Sequence, residues 1–214
     1  MKLQQILKEV EDKAELDALS QAMGDAFKTL GSEYQSKEGE IKQDVEQSDA
    51  TLNEALGATA IIGFILALPK LTEIFVKAIS KIFTAFKKLV KPGEGKSNEE
   101  AMAAKIVEFT HKWHKLYIKG VKWILKTSGS FKKAGITGEA AQQKAAEMVY
   151  YIIVAGLAAY SGVGSIAAFK QALAAKGATG AAGFSLSAFE AAMASVKTKE
   201  VREFIAKAGL NAIS

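Results

Sequence analysis

The stretch Met148–Phe169, MVYYIIVAGLAAYSGVGSIAAF, runs for 22 residues without a charge and is bounded by Glu147 and Lys170. As a helix it is about 33 Å long, enough to cross a hydrocarbon core. Such a run ends up either in lipid or inside a protein. Tyr150, Tyr151 and Tyr160 suit interface anchoring, and Gly156, Ala159, Gly162 and Gly164 offer small surfaces to a neighbouring helix. Ser161, Gly162, Gly164 and Ser165 dilute the second half, so the soluble counterpart is a buried hairpin turning near Gly162.

A second uncharged run, Ala55–Pro69 (ALGATAIIGFILALP), covers 15 residues, about 22 Å as helix and short for a span. Pro69 should end or kink it. Proline occurs only at 69 and 92, and Ala, Lys, Glu and Leu are abundant. The expected fold class is therefore all-α: a helical bundle with a central hydrophobic helical hairpin and two basic amphipathic helices. A chain of 214 residues can bury a substantial core.

The first amphipathic helix follows Pro69. Leu71, Ile74, Phe75, Ala78, Ile79, Ile82, Phe83, Phe86 and Val90 share one face, and Lys70, Glu73, Lys77, Lys81 and Lys88 the other. Between Lys70 and Lys91 six lysines stand against one glutamate, a one-signed face that suits an anionic headgroup surface better than a mixed-charge bundle exterior. Lys91–Lys96 reads as a hinge, and Ser97-Asn-Glu-Glu100 as a capping box. Beyond it Lys105, Lys112, Lys115, Lys119, Lys122 and Lys126 form a basic stripe. Met102, Ile106, Phe109, Trp113, Tyr117, Val121 and Ile124 lie opposite, with Trp123 near the edge. Aromatic rings interleaved with lysine suit a headgroup boundary.

Charge is unevenly spread. Residues 1–50 hold 12 acids against 6 lysines, whereas residues 79–145 hold 14 lysines against 5 glutamates. Arg202 is the only arginine, so the planar fork used for bidentate phosphate or guanine recognition is almost absent. A lysine row and an exposed ring also suit a nucleic-acid backbone, but most of the rings fall on the apolar face.

The first 50 residues read as short helical stretches punctuated at Gly24 and Leu30-Gly31-Ser32, with an apolar stripe at Leu3, Ile6, Leu7 and Val10. Residues 33–49, anchored only by Ile41 and Val45, read as a solvated helix or a connector. Ala174–Gly183 (AAKGATGAAG) reads as a small-residue linker, and Ser187-Ala-Phe-Glu190 as the capping box of a C-terminal docking element. The expected regions are an acidic helical region at 1–50, an apolar segment plus basic helix at 51–91, a basic aromatic helix plus long apolar helix at 97–175, and docking helices at 185–214. The charged N-terminus does not read as a secretory signal.

No motif for chemistry emerges. There is no cysteine, no phosphate-binding glycine loop, no G-x-S-x-G and no H-E-x-x-H. His111 and His114, with Glu108 before them, are expected to diverge around the helix instead of converging on a metal. The expectation is a non-enzymatic protein without cofactor or metal that associates with or inserts into anionic bilayers. Lipid or partner contact falls to Ile61, Phe64, Phe75, Phe83, Trp113, Tyr117, Trp123, Tyr150 and Ile153. Contact with the anionic surface falls to Lys77, Lys81, Lys112, Lys115, Lys119 and Lys122. A homo-oligomer or larger assembly would form through the Gly and Ala faces. The alternative is a soluble all-α structural or assembly protein, cytoplasmic or packaged in a virion. The lysine-heavy, motif-free texture looks like that of many small phage virion proteins, with no residue pattern that carries a family.

Overall fold

The structure, a computed structural model, describes residues 3–50, 57–90, 98–181 and 183–210, without the side chains of 3–17, 19, 20, 89, 112, 113 and 178–181. Among these residues the fold is all-α. In chain order the helices are α1 (Leu3–Gln47), α2 (Ala58–Leu66), α3 (Pro69–Leu89), α4 (Glu99–Thr127), α5 (Ser130–Lys133), α6 (Glu139–Ser161), α7 (Ile166–Ala181), α8 (Leu186–Ser195) and α9 (Lys199–Lys207).

Gly162 divides the long uncharged run. At φ +78° it takes the left-handed conformation that costs glycine nothing, and its N–H and that of Val163 bond to the carbonyls of Ala159 and Ala158. The run is thus two helices, α6 and α7, bent by 114°. From Met148 to Ala158 every residue of α6 is buried, Ile152, Ile153 and Leu157 included. A helix apolar on all sides has to be covered on all sides. α4, α8 and α2 pack against it, with α3 and α9 touching it more lightly.

The second run is divided too. α2 ends at Leu66, and Pro69 opens α3, where its missing N–H and preset φ suit the first helical position; the two axes bend by 112°. The corner is tied by Thr72, whose hydroxyl donates to the Ile65 carbonyl at 2.6 Å. Asp44 of α1 accepts from the free Lys70 N–H at 3.1 Å and so caps α3 from another helix.

The expected breaks at Gly24 and Leu30-Gly31-Ser32 are absent, residues 33–47 take the helix alternative and not the connector, and α1 is one continuous 45-residue helix. Each interior glycine costs a helix about 1 kcal/mol relative to alanine. Met23, Ala26, Leu30, Tyr34, Ile41 and Val45 are buried along one side and repay that cost through packing on α3 and α4. The stripe from Leu3 to Val10 lies outside the described side chains.

Both capping boxes shift. α4 is capped by Asn98, whose side chain accepts from Ala101 N–H, and Ser97 lies outside the described residues with the hinge at 91–96. α8 is capped by Ser185, which leaves Ser187 in the first turn. The expected linker at 174–183 is mostly helix, with α7 kinked at Gly177 and running to Ala181. In α8 and α9, Phe189, Val201, Phe204 and Ile205 join the same core as the α1, α3 and α6 residues.

Tyr34 and Tyr117 are buried with hydroxyls that have no hydrogen-bond partner, and burial pushes the Tyr117 phenol well above its ordinary range. An orphaned buried hydroxyl costs about 1–3 kcal/mol. Tyr117→Phe is expected to raise unfolding stability by about 1 kcal/mol in urea titration, whereas Leu157→Ala in the centre of α6 should lower it by about 2–5 kcal/mol.

Candidate functional site

The two basic helices differ in what meets their lysines. On α3 the polar face is covered by acidic α1. Lys77 Nζ lies 3.0 Å from Glu33, Lys70 Nζ lies 2.9 Å from Glu40, and Lys37 of α1 pairs with Glu73. The one-signed face expected to meet a membrane is therefore partly neutralised inside the fold. The acids that do this come from a segment far away in sequence. Lys81 stays exposed beside a groove of about 410 Å³ between α1 and α3, lined by Ala18, Ala22, Asp25 and Thr84.

α4 keeps part of its charge exposed. Lys115, Lys119 and Lys126 are exposed and form no ion pair among the described residues. Lys122 is half-buried and paired with Glu139. Leu116 and Trp123, one heptad apart, emerge among these lysines at 40% and 48% exposure and are the large exposed hydrophobic side chains of the described chain. A ridge of one leucine, one tryptophan and three ammonium groups outside any ion pair among the described residues follows from the 3- and 4-residue spacing.

The ridge stands on α1. Phe27 lies over Gly120, where a Cβ would collide with its ring. Tyr34 meets Trp123 edge to face, with centroids 5.1 Å apart, so the indole has one packed side and one wet side. Burial, with the Glu38 carboxylate adding to it, pushes the Tyr34 phenol up to about 12, and the ring under Trp123 stays neutral at ordinary pH.

The other expected contact residues are placed differently. Ile61, Phe64, Phe75, Phe83, Tyr117, Tyr150 and Ile153 are all buried against the chain's own helices. Each lies on a helix that packs against α6 or on α6 itself. The side chains of Lys112 and Trp113 lie outside the described residues. Leu116 and Lys126 were not among the expected contacts. The signal for Leu116 was its position seven residues before Trp123, off the apolar face.

The two histidines correct a further expectation. Positions three apart on a helix are neighbours, and the rings of His111 and His114 stack, with centroids 5.6 Å apart and planes 21° apart. Among the described residues no group of three or more His, Asp or Glu is placed to hold a metal. A groove of about 750 Å³ between the starts of α6 and α8 is lined by Gln143, Lys144, Glu147, Ser185 and Ser187. Ser185 there is committed to capping α8.

No protein-family model matches the chain, and no curated protein and no solved structure matches it.

In a Trp113→Phe background, Trp123 emission is expected to be red-shifted and strongly quenched by iodide. Tyr34→Ala should increase the quenching by loosening the packed side of the indole, as read by Stern–Volmer slopes.

Proposed function

We propose that this chain is a non-enzymatic, membrane-interacting helical protein. It associates with anionic bilayers through the α4 ridge and carries its apolar helix pairs for insertion. The observation that carries this reading is the exposed Trp123 and Leu116 set among Lys115, Lys119 and Lys126, which are exposed and form no ion pair among the described residues. An indole with one wet side settles at headgroup level, and each nearby lysine adds about 1 kcal/mol of attraction to an anionic leaflet.

Insertion is the second step. No single described helix is long and apolar enough to cross a membrane; the pairs Ala58–Leu66 with Pro69–Lys88 and Glu139–Ser161 with Ile166–Gly177 reach that length only together. In the inserted state the two runs would form the central hydrophobic hairpin, with the lysine-rich segment between them retained on the side of approach. Small residues such as Gly156 and Ala159 would serve helix contacts in an oligomer.

A second reading has an observation of its own. The burial of Ile152, Ile153 and Leu157 beneath the chain's own helices favours a soluble structural or assembly protein, such as a virion component, whose ridge docks on a protein partner.

Flotation with phosphatidylglycerol vesicles separates the two. Binding that falls with salt, is absent on phosphatidylcholine and weakens about a hundredfold in Lys115→Gln/Lys119→Gln/Lys126→Gln supports the membrane reading. No flotation of the folded chain on anionic vesicles overturns it, and low-salt binding to a nucleic-acid duplex alone would reassign the ridge.

A further inference from the structure

The stacked histidines close one end of a chain of aromatic rings that crosses the molecule. His114 lies 6.1 Å from Tyr150, Tyr150 lies 5.2 Å from Tyr151, and Tyr151 lies 5.3 Å from Phe184, each measured between centroids. Phe184 meets Phe189 at 5.6 Å, and Phe189 meets Phe169 of α7 at 4.3 Å. This chain fastens α7 and the turn that follows it onto α4 and α6. Tyr151 completes the fastening, since its hydroxyl donates to the Gly183 carbonyl at 3.3 Å and accepts from the Ser185 N–H.

His114 is buried, and its Nδ1 lies 3.0 Å from the His111 carbonyl. A carbonyl only accepts, so Nδ1 carries the proton and Nε2 is bare in the neutral ring. Nε2 points at Gly183, which has φ +90°, and a Cβ at 183 would collide with it. The turn therefore rests directly on His114 Nε2.

The surroundings of His111 disfavour its protonation. From α4 come Glu108 and Lys115. From α7 comes Lys176, and from α6 come Tyr150, Tyr151 and Glu147. Glu108 is taken up by Lys176 at 3.0 Å, and Glu147 accepts from Gln143 at 2.9 Å. Burial, followed by His114, Lys176 and Lys115, holds the His111 imidazole below its ordinary value of 6.5. A base depressed in the folded state binds fewer protons than in the unfolded chain. Its contribution to stability is therefore present above about pH 6.5 and is lost as pH falls through the lower folded value.

We infer that His111 is the trigger of an acid-sensitive latch: its protonation, beside the His114 ring on which the Gly183 turn rests and near Lys176 of α7, drives the Gly183 turn and α7 off α4. The device itself needs no membrane. Its use, the release of the α6–α7 pair for insertion, rests on the membrane reading above.

Native-state hydrogen exchange of the full chain between pH 7.5 and 5.0, without lipid, tests the latch. After correction for intrinsic rates, protection of the α7 amides is expected to fall at least tenfold while that of α1 and α3 holds, and His111→Gln should remove most of the fall. Unchanged α7 protection in the wild type, or an equal fall in His111→Gln, overturns the latch. His111 is only half-buried, so its replacement leaves the fold in place, and the wild-type profile stands as a second measurement. Dye release from phosphatidylglycerol vesicles keeps the two ideas apart. Opening at pH 5.0 without release keeps the latch and defeats the membrane reading, whereas equal release at both pH values without opening keeps the membrane reading and defeats the latch.

Discussion

The fold depends on α6 having no polar side. Burying a Val, Leu, Ile, Phe or Met side chain is worth about 1.5–3 kcal/mol, and the stretch from Met148 to Ala158 carries six of them together with Tyr150 and Tyr151. A helix of that kind cannot lie on a surface. It requires a shell in which every neighbour presents an apolar stripe, and α4, α2, α3, α8 and α9 each supply one. Gly156 shows how closely the shell is drawn in: a Cβ there would stand 3.2 Å from Ile205 of α9 and 3.4 Å from Phe83 of α3. Distant parts of the chain therefore meet across a single helix.

Covering α6 brings two basic helices into the shell, and α1 resolves their charge unequally. Its acids lie along α3 and cap it, so that Glu33, Glu40 and Asp44 each have a partner there. With α4, α1 instead shares Phe27 and Tyr34, two rings without charge. Lys70 and Lys77 thereby become structural on α3, whereas Lys115, Lys119 and Lys126 of α4 stay outside any ion pair among the described residues. The latter three surround an indole held out by a packed tyrosine, and that difference gives the molecule one chemically distinct face.

Both bent pairs store apolar length within a closed fold. Their corners are held by local devices: Gly162 in the left-handed conformation at one, Pro69 with Thr72 and Asp44 at the other. The α6–α7 corner is also held at its far end by the aromatic chain that runs to His114. Apolar content and closure are thus controlled by different residues.

What could be read from the sequence was whatever depends on near neighbours along the chain. The all-α class followed from proline scarcity and helical periodicity. The apolar faces of α3 and α4 followed from spacing, the turn near Gly162 from its glycines, and the α2–α3 corner from Pro69. The continuity of α1 did not follow, since three glycines and a polar exterior argue for breaks until a partner helix packs along the buried side. Nor did the contrast between the lysines of α3 and α4, which depends on where acids some 30 to 45 residues away come to lie. The stacked histidines were misread because angular separation around a helix was allowed to outweigh the short rise between positions three apart. Helix type and apolar stripes are encoded locally, but which charges survive on the surface is decided by the helices that pack against them, and only the tertiary structure brings those together.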